Sequence, residues 1–223
     1  MGKGAIAVDP EFWITAWNEG RTSFHQKDYH EKLVEYFPQL NPEKGQKILV
    51  PLCGKTKDLL WLQGLGLHVH GVELYEQAVE AFFKENELSA PQKTQDQDFV
   101  RYTHGNIVLS CGDVFQLNEK DTYDFIYDRG SLVAFPLSTR QRYAQTIARS
   151  LRTGGKYLLI AYEYDQSQLE GPPFSVDANE IHALYENQFT IKLMESNKPS
   201  KEGPRLSAID SLKQKVYILE KIR

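Results

Sequence analysis

Two stretches decide the fold: Ile48-Leu49-Val50-Pro51-Leu52-Cys53-Gly54-Lys55 and, after a short amphipathic segment, His68-Val69-His70-Gly71-Val72-Glu73. An apolar strand ending in a glycine turn, then a helix, then a second strand ending in a carboxylate is the opening βαβ unit of a doubly wound sheet that binds a nucleoside. A dinucleotide site uses G-x-G-x-x-G so that backbone can crowd against a pyrophosphate. Here Gly54 is the only glycine between Ile48 and Gln63, so no pyrophosphate is expected. Glu73 stands 21 positions after Leu52, close to the roughly 20-residue offset at which an acidic side chain takes a ribose diol. A nucleoside cofactor without a diphosphate suggests S-adenosylmethionine, with S-adenosylhomocysteine as its product.

Composition agrees with small-molecule chemistry. The 223 residues suit one α/β domain, residues 1–223, and 41% hydrophobic content can fill its core. A net charge of −4, with Lys and Arg dispersed among acids, gives no basic field for nucleic acid or anionic lipid. Cys53 and Cys111 are the only cysteines and fall at the ends of two different strands, in neither a C-x-x-C nor a zinc spacing. The first 20 residues mix Lys3, Asp9, Glu11 and Glu19 with apolar residues and contain no long hydrophobic region. The expectation is a cytoplasmic monomer without signal peptide or membrane span.

Along the chain, Asp9-Pro10-Glu11 reads as an N-cap, a first-position proline and a first-turn acid, opening a helix through Trp17. A second helix, Tyr29 to Phe37, stops at Pro38. These elements, within residues 1–45, are expected to lie as a helical lid across the carboxyl ends of the strands. Alternation follows: strand 48–52, helix 57–65, strand 68–73, helix 76–87, strand 106–110, strand 123–127. Pro91 to His104, with three glutamines, reads as an exposed insertion. Ser138 with Gln141 suggests a capping box for a helix through Leu151, ended by Gly154-Gly155. Strand 156–164 and a helix capped by Asp177 come next, and 189–195 with 213–221 lack a helix between them and should pair antiparallel. The sum is a seven-stranded, doubly wound, Rossmann-like sheet with an antiparallel C-terminal strand.

In such a sheet the ligand sits beyond the carboxyl ends of the strands, near the switch in strand order. That gathers Leu52, Cys53, Gly54, Glu73, Asp113, Asp128 and Arg129. Gly54 lets backbone approach the methionine portion of the cofactor, the Leu52 carbonyl can accept from its ammonium, and Glu73 can accept from both ribose hydroxyls. Blander readings stand beside these: Glu73 as a solvated strand-end acid, Asp113 as a turn residue, Asp128 and Arg129 as an ion pair, and Trp13 with Trp17 as core packing. His68 and His70 alternate on one strand, but no further ligand at metal spacing completes a set. Cys53 has no histidine partner in sequence that would make it a nucleophile.

The motifs FWITAW (Phe12 to Trp17), TSFHQ (Thr22 to Gln26), PLCGK (Pro51 to Lys55), GVEL (Gly71 to Leu74), YDRGSLVA (Tyr127 to Ala134) and GPPF (Gly171 to Phe174) closely resemble those of the thiopurine S-methyltransferase family, in matching order. The resemblance implies transfer of a methyl group from S-adenosylmethionine to an aromatic or heterocyclic thiol, a soft small-molecule acceptor. By matching position it implies cofactor contacts at Trp13, Trp17, Phe24, Leu52, Gly54, Glu73, Leu74, Asp113, Val114 and Arg129. It also implies acceptor contacts at Phe24, Arg129 and Arg205, with no dedicated catalytic group and no metal. Gly112-Asp113 is more acidic than in animal members, and the loop Asn197 to Ser207 departs from the family's basic loop. Close relatives on this scaffold that methylate halides, thiocyanate or selenium and tellurium compounds provide the alternative, as does a cofactor-binding protein without turnover.

Overall fold

A computed structural model describes residues 10–22, 25–89, 91–199 and 204–223. The Asp9 cap and Phe24 lie outside the described residues. The strands are β1 (Lys47–Pro51), β2 (His68–Glu73), β3 (Gln92–Gln95), β4 (Val100–His104), β5 (Ile107–Cys111), β6 (Tyr123–Arg129), β7 (Leu151–Glu163), β8 (Phe189–Asn197) and β9 (Lys213–Lys221). The α-helices are α1 (Pro10–Asn18), α2 (Glu31–Tyr36), α3 (Asp58–Gly64), α4 (Glu76–Glu85), α5 (Leu137–Ser150), α6 (Ala178–Tyr185) and α7 (Pro204–Ser207).

Among the described residues all strands join one nine-stranded sheet in the order β3-β4-β5-β2-β1-β6-β7-β9-β8. The five central strands, β5 through β7, run parallel. Strand β9 is antiparallel to both β7 and β8, as the missing crossover helix required; among the described residues only the four-residue α7 lies between β8 and β9. Strand order reverses between β1 and β6, which makes their carboxyl ends the crevice where such sheets take ligands.

The expected count of seven strands is corrected to nine. Residues 91–104 are not a loose insertion but the hairpin β3–β4, which pairs antiparallel with the edge of β5. An outer edge strand needs no apolar face, and all four residues of β3 are exposed. One buried ring, Tyr102, anchors β4 by stacking on Phe83 at 6.2 Å.

Period-two alternation divides the sheet into two packed faces. Ile48 and Val50 of β1 point to the face covered by α3 and α4, with Leu59, Leu62, Val79 and Phe82. Leu49 points to the other, with Tyr143 and Ile147 of α5 and Ile181 of α6. Leu33 of α2, followed by Phe37 and Leu40, joins the first face. Helix α2 therefore covers the sheet instead of crossing the strand ends, because its apolar residues are better buried there.

Two boundaries differ from expectation. Helix α5 starts at Leu137 behind Pro136, with no side-chain cap, and stops at Ser150, whose hydroxyl bonds back to the Ile147 carbonyl at 2.8 Å. Gly154 and Gly155 lie inside β7, where Tyr123 pairs with Leu151 but Phe125 with Lys156. Extra residues in β7 bulge there, and Gly154 takes φ +75°. The Asp177 cap does form, its carboxylate accepting from the Glu180 amide at 2.8 Å.

Candidate functional site

The site grows from the end of β1. Leu52 adopts φ +46° and Gly54 φ +53°, so the chain leaves the strand through a tight left-handed turn held by the Cys53 amide on the Val72 carbonyl at 3.0 Å. Such a conformation costs a non-glycine residue on the order of 1–3 kcal/mol, and nothing in a leucine codon position signals it. A side chain at Gly54 would meet the Trp17 ring at 3.1 Å. Glycine thus provides room for α1 to lay Trp17 on the turn. Trp17 also stacks on Tyr75, with centroids 5.8 Å apart and planes 13° apart, while the Tyr75 hydroxyl donates to Asn18 at 2.5 Å. Trp13 packs edge-on against Phe12 at 5.2 Å.

Glu73 closes the next strand. Its two carboxylate oxygens accept from the Gly54 amide at 2.8 Å and the Tyr75 amide at 2.9 Å. Burial pushes its pKa up, while the amides of Tyr75, Gly54 and Leu74 oppose that shift. A carboxylate offers about four lone-pair positions, so acceptor capacity remains after these amide bonds. The Glu73 carbonyl in turn accepts from Gly112 at 2.9 Å, joining the end of β2 to the Gly112-Asp113-Val114 turn. Asp113 caps a short 3-10 helix by accepting from Phe115 at 3.0 Å, and Val114 is buried. The turn reading of Asp113 is therefore realised in its side chain. A Cβ on Gly112 would strike the Asp98 carbonyl and the Phe99 ring, each at 2.6 Å, so the unanticipated hairpin walls this end of the crevice.

Beyond β1 stands β6, which ends in Arg129. The Asp128–Arg129 ion pair does not form. Neighbours on a strand point to opposite faces, and Asp128 is fully buried, accepting from the hydroxyls of Tyr143 at 2.6 Å and Tyr157 at 2.8 Å. Its other oxygen accepts from the amides of Ser131 at 3.1 Å and Leu132 at 3.2 Å. Burial raises the Asp128 pKa, and the two tyrosine hydroxyls are the largest opposing influence. Half-buried Arg129 lies instead in the field of Asp58, whose pKa burial raises and whose stabilising neighbours include the His30 amide and the Arg129 charge. Asp58 accepts from the His30 amide at 2.8 Å and the Tyr127 hydroxyl at 3.0 Å, tying the start of α2 to β6. Arg205 is exposed on α7 and acts electrostatically on Tyr164 just after β7.

The strand ends thus bring Asp113 and Val114, then Glu73 and Leu74, then Leu52 and Gly54 under Trp17, then Arg129, into one row, with Arg205 at its β7 end. Asp58, Tyr127, Asp128 and Ser131 belong to the scaffold of this row; the sequence placed Asp128 among the crevice residues, with an ion pair to Arg129 as the blander reading, and singled out none of the other three. An aspartate three residues before a serine, at a strand end, was the available signal for a side-chain-closed turn. Both thiols are unsuited to nucleophilic work: burial raises Cys53 well above its ordinary pKa, and burial with Glu76 and Glu73 brings Cys111 to about 11. No group of three or more metal-ligating side chains occurs among the described residues. His70 is engaged by the Tyr123 hydroxyl and, at 2.7 Å, by that of Ser110. No described helix is long and apolar enough to cross a membrane.

Comparison with known proteins meets this geometry. The family model described as thiopurine S-methyltransferase matches residues 8–222. The thiopurine S-methyltransferase of Bordetella pertussis is 41% identical over 219 residues, covering 96% of this chain and 100% of that protein. That of Azotobacter vinelandii is 38% identical over 215 residues, covering 95% and 98%. Among solved structures, a Burkholderia thailandensis 1,6-didemethyltoxoflavin-N1-methyltransferase, with bound 1,6-didemethyltoxoflavin and S-adenosylhomocysteine, superposes with a TM-score of 0.66 at 17% identity, covering 96% of this chain and 87% of that one. This likeness shows a shared Rossmann-like methyltransferase fold, and the sequence matches show that the chain belongs to the thiopurine S-methyltransferase family.

Proposed function

We propose that this protein transfers the methyl group of S-adenosylmethionine to the sulfur of an aromatic or heterocyclic thiol such as a thiopurine. The observation that carries the reading is the junction of Gly54 and Glu73. It is a tight, pyrophosphate-free turn bonded to a buried carboxylate with acceptor capacity left over, in a chain of this family. The donor set fits an adenosyl sulfonium: Glu73 for the ribose diol, the Leu52 carbonyl and Gly54 backbone for the amino-acid end, and Asp113 with Val114 beside the adenine.

When bound, the cofactor supplies an electrophilic methyl group on a cationic sulfur. The chain's part is to position and to exclude water, which can account for up to roughly 7–11 kcal/mol of such a barrier. Helix α1 acts as a lid, with Trp17 seated over the turn, and aromatic walls from Trp13 and Trp17 favour a neighbouring cation by about 0.5–2 kcal/mol. Arg129 and Arg205 attract an acceptor that arrives as a thiolate. Heteroaryl thiols ionise readily enough to need no dedicated base.

The test is release of S-adenosylhomocysteine from S-adenosylmethionine with a panel of thiopurines, aryl thiols, halides and selenite. Turnover with a thiopurine, giving its S-methyl product, is expected. Volatile methylated halide or selenium products with no S-methylated thiol would replace this reading by the alternative acceptor class.

A further inference from the structure

We infer that Asp128 is a positioning residue that couples the two turns of the site, acting through Ser131; the inference rests on the reading of those turns as donor and acceptor sides. Asp128 is fully buried and all four of its hydrogen bonds are internal: two from amides in its own turn, at Ser131 and Leu132, and two from the Tyr143 and Tyr157 hydroxyls. The amide pair closes the chain around Arg129 and Gly130, and Gly130 takes φ +87° to complete the loop. The tyrosines fix the carboxylate itself to α5 and β7, so the turn is anchored to the core and not merely folded on itself.

The connection onward is one bond. The Ser131 hydroxyl, also fully buried, donates to the Pro51 carbonyl at 2.8 Å. Pro51 immediately precedes Leu52, the strained residue that opens the Gly54 turn. A single chain of contacts, Tyr143 and Tyr157 to Asp128 to Ser131 to Pro51, thus sets the position of Arg129 relative to Leu52 and Gly54. Methyl transfer is an in-line displacement whose geometry depends on that relation. Asp128 is wholly buried and spends its hydrogen bonds within the chain, so it acts only through the turns.

Two variants and two readouts test it. Ser131→Ala removes the hydroxyl's bond to Pro51, together with its contact to the Tyr143 hydroxyl, and leaves the amide and tyrosine bonds to Asp128 in place; Asp128→Asn keeps an oxygen for the two amides but replaces the acceptor facing both tyrosines by a donor. Amide hydrogen exchange, which needs no ligand, should quicken in Ser131→Ala at Cys53 and Gly54, and in Asp128→Asn at residues 129–134 and also at Cys53 and Gly54, with β8 and β9 unchanged in both. Calorimetric binding of S-adenosylhomocysteine should weaken about tenfold in Ser131→Ala, the size expected from one buried hydrogen bond. In Asp128→Asn, KM for a thiopurine should rise and kcat should fall at saturating donor. Unchanged exchange at Cys53 and Gly54 in both variants would overturn the coupling. If wild-type protein failed to bind S-adenosylhomocysteine, the proposed function would fall while the exchange data still judged the coupling.

Discussion

Glu73 and Asp128 are two buried carboxylates at the carboxyl ends of parallel strands, one on β2 and one on β6, and burial raises the pKa of both. They differ in what surrounds them. Asp128 is wholly buried and receives four hydrogen bonds from the chain, whereas Glu73 retains 7% exposure and receives backbone amides alone. One carboxylate is consumed by the fold; the other is fixed by the fold and left able to accept more. A buried acid is thus not by itself a sign of ligand binding, and the distinguishing feature is acceptor capacity that the fold leaves unspent.

The comparison breaks first at Asp128. Asp128→Ala leaves two tyrosine hydroxyls and two amides without their acceptor, in a cavity among large side chains, and should cost roughly 3–5 kcal/mol of stability in chemical unfolding. A loss below about 1 kcal/mol would show that the network is not structural. Glu73→Ala should instead weaken S-adenosylmethionine binding by about 2–4 kcal/mol, or roughly 30- to 800-fold. Calorimetry on the folded variant checks this, and unchanged affinity would remove Glu73 from the site.

Acid sharpens the contrast through its sign. Because Glu73 and Asp128 have raised pKa values in the folded state, that state holds more protons than the unfolded chain, and their contribution to stability improves as pH falls. His70, three residues before Glu73, behaves oppositely. Burial is the largest cause of its depression from 6.5 to about 4, so the unfolded chain binds the proton first and stability is lost as pH falls below 6.5. Between pH 7 and pH 5 this amounts to about 2 kcal/mol. His70→Gln, measured by urea unfolding at several pH values, should lose that much less than the wild type over this interval. Equal pH dependence of the two proteins would mean that the His70 environment does not exclude the proton.

How far these differences could be read from sequence depends on how local their causes are. The turn at Gly54 and the acid at Glu73 were legible because an apolar run, a glycine and a spacing are all sequence-local. The antiparallel pairing of β8 and β9 followed from a missing crossover. The β3–β4 hairpin was not legible, since an edge strand can be polar throughout and Tyr102 is one anchor in a run of polar residues. Asp128 was not legible: its strand-end position suggested the crevice and its adjacency to Arg129 suggested a pair, although strand alternation sends the two side chains apart and Asp128 into the core. Its actual partners, Tyr143 and Tyr157, lie on other elements and are brought to it only by packing. Leu52 at positive φ has no compositional signal at all.

The smallest expected effect separates conformation from space at Gly54. Gly54→Ala places a methyl group at φ +53° and 3.1 Å from Trp17, so two costs are superimposed: about 1 kcal/mol or more for the left-handed backbone, and a further displacement of the indole. Trp17→Ala alone removes the indole, and the double variant Gly54→Ala/Trp17→Ala retains only the backbone cost. The two substitutions should therefore be non-additive, with Gly54→Ala costing less in the Trp17→Ala background by about 0.5–1 kcal/mol, within the range for residues in contact. Thermal or urea unfolding of the four proteins measures this difference directly. Strict additivity would mean that Trp17 does not rest on the turn, and the lid role given to α1 would lose its structural basis, while the Gly54–Glu73 bond would stand unaffected.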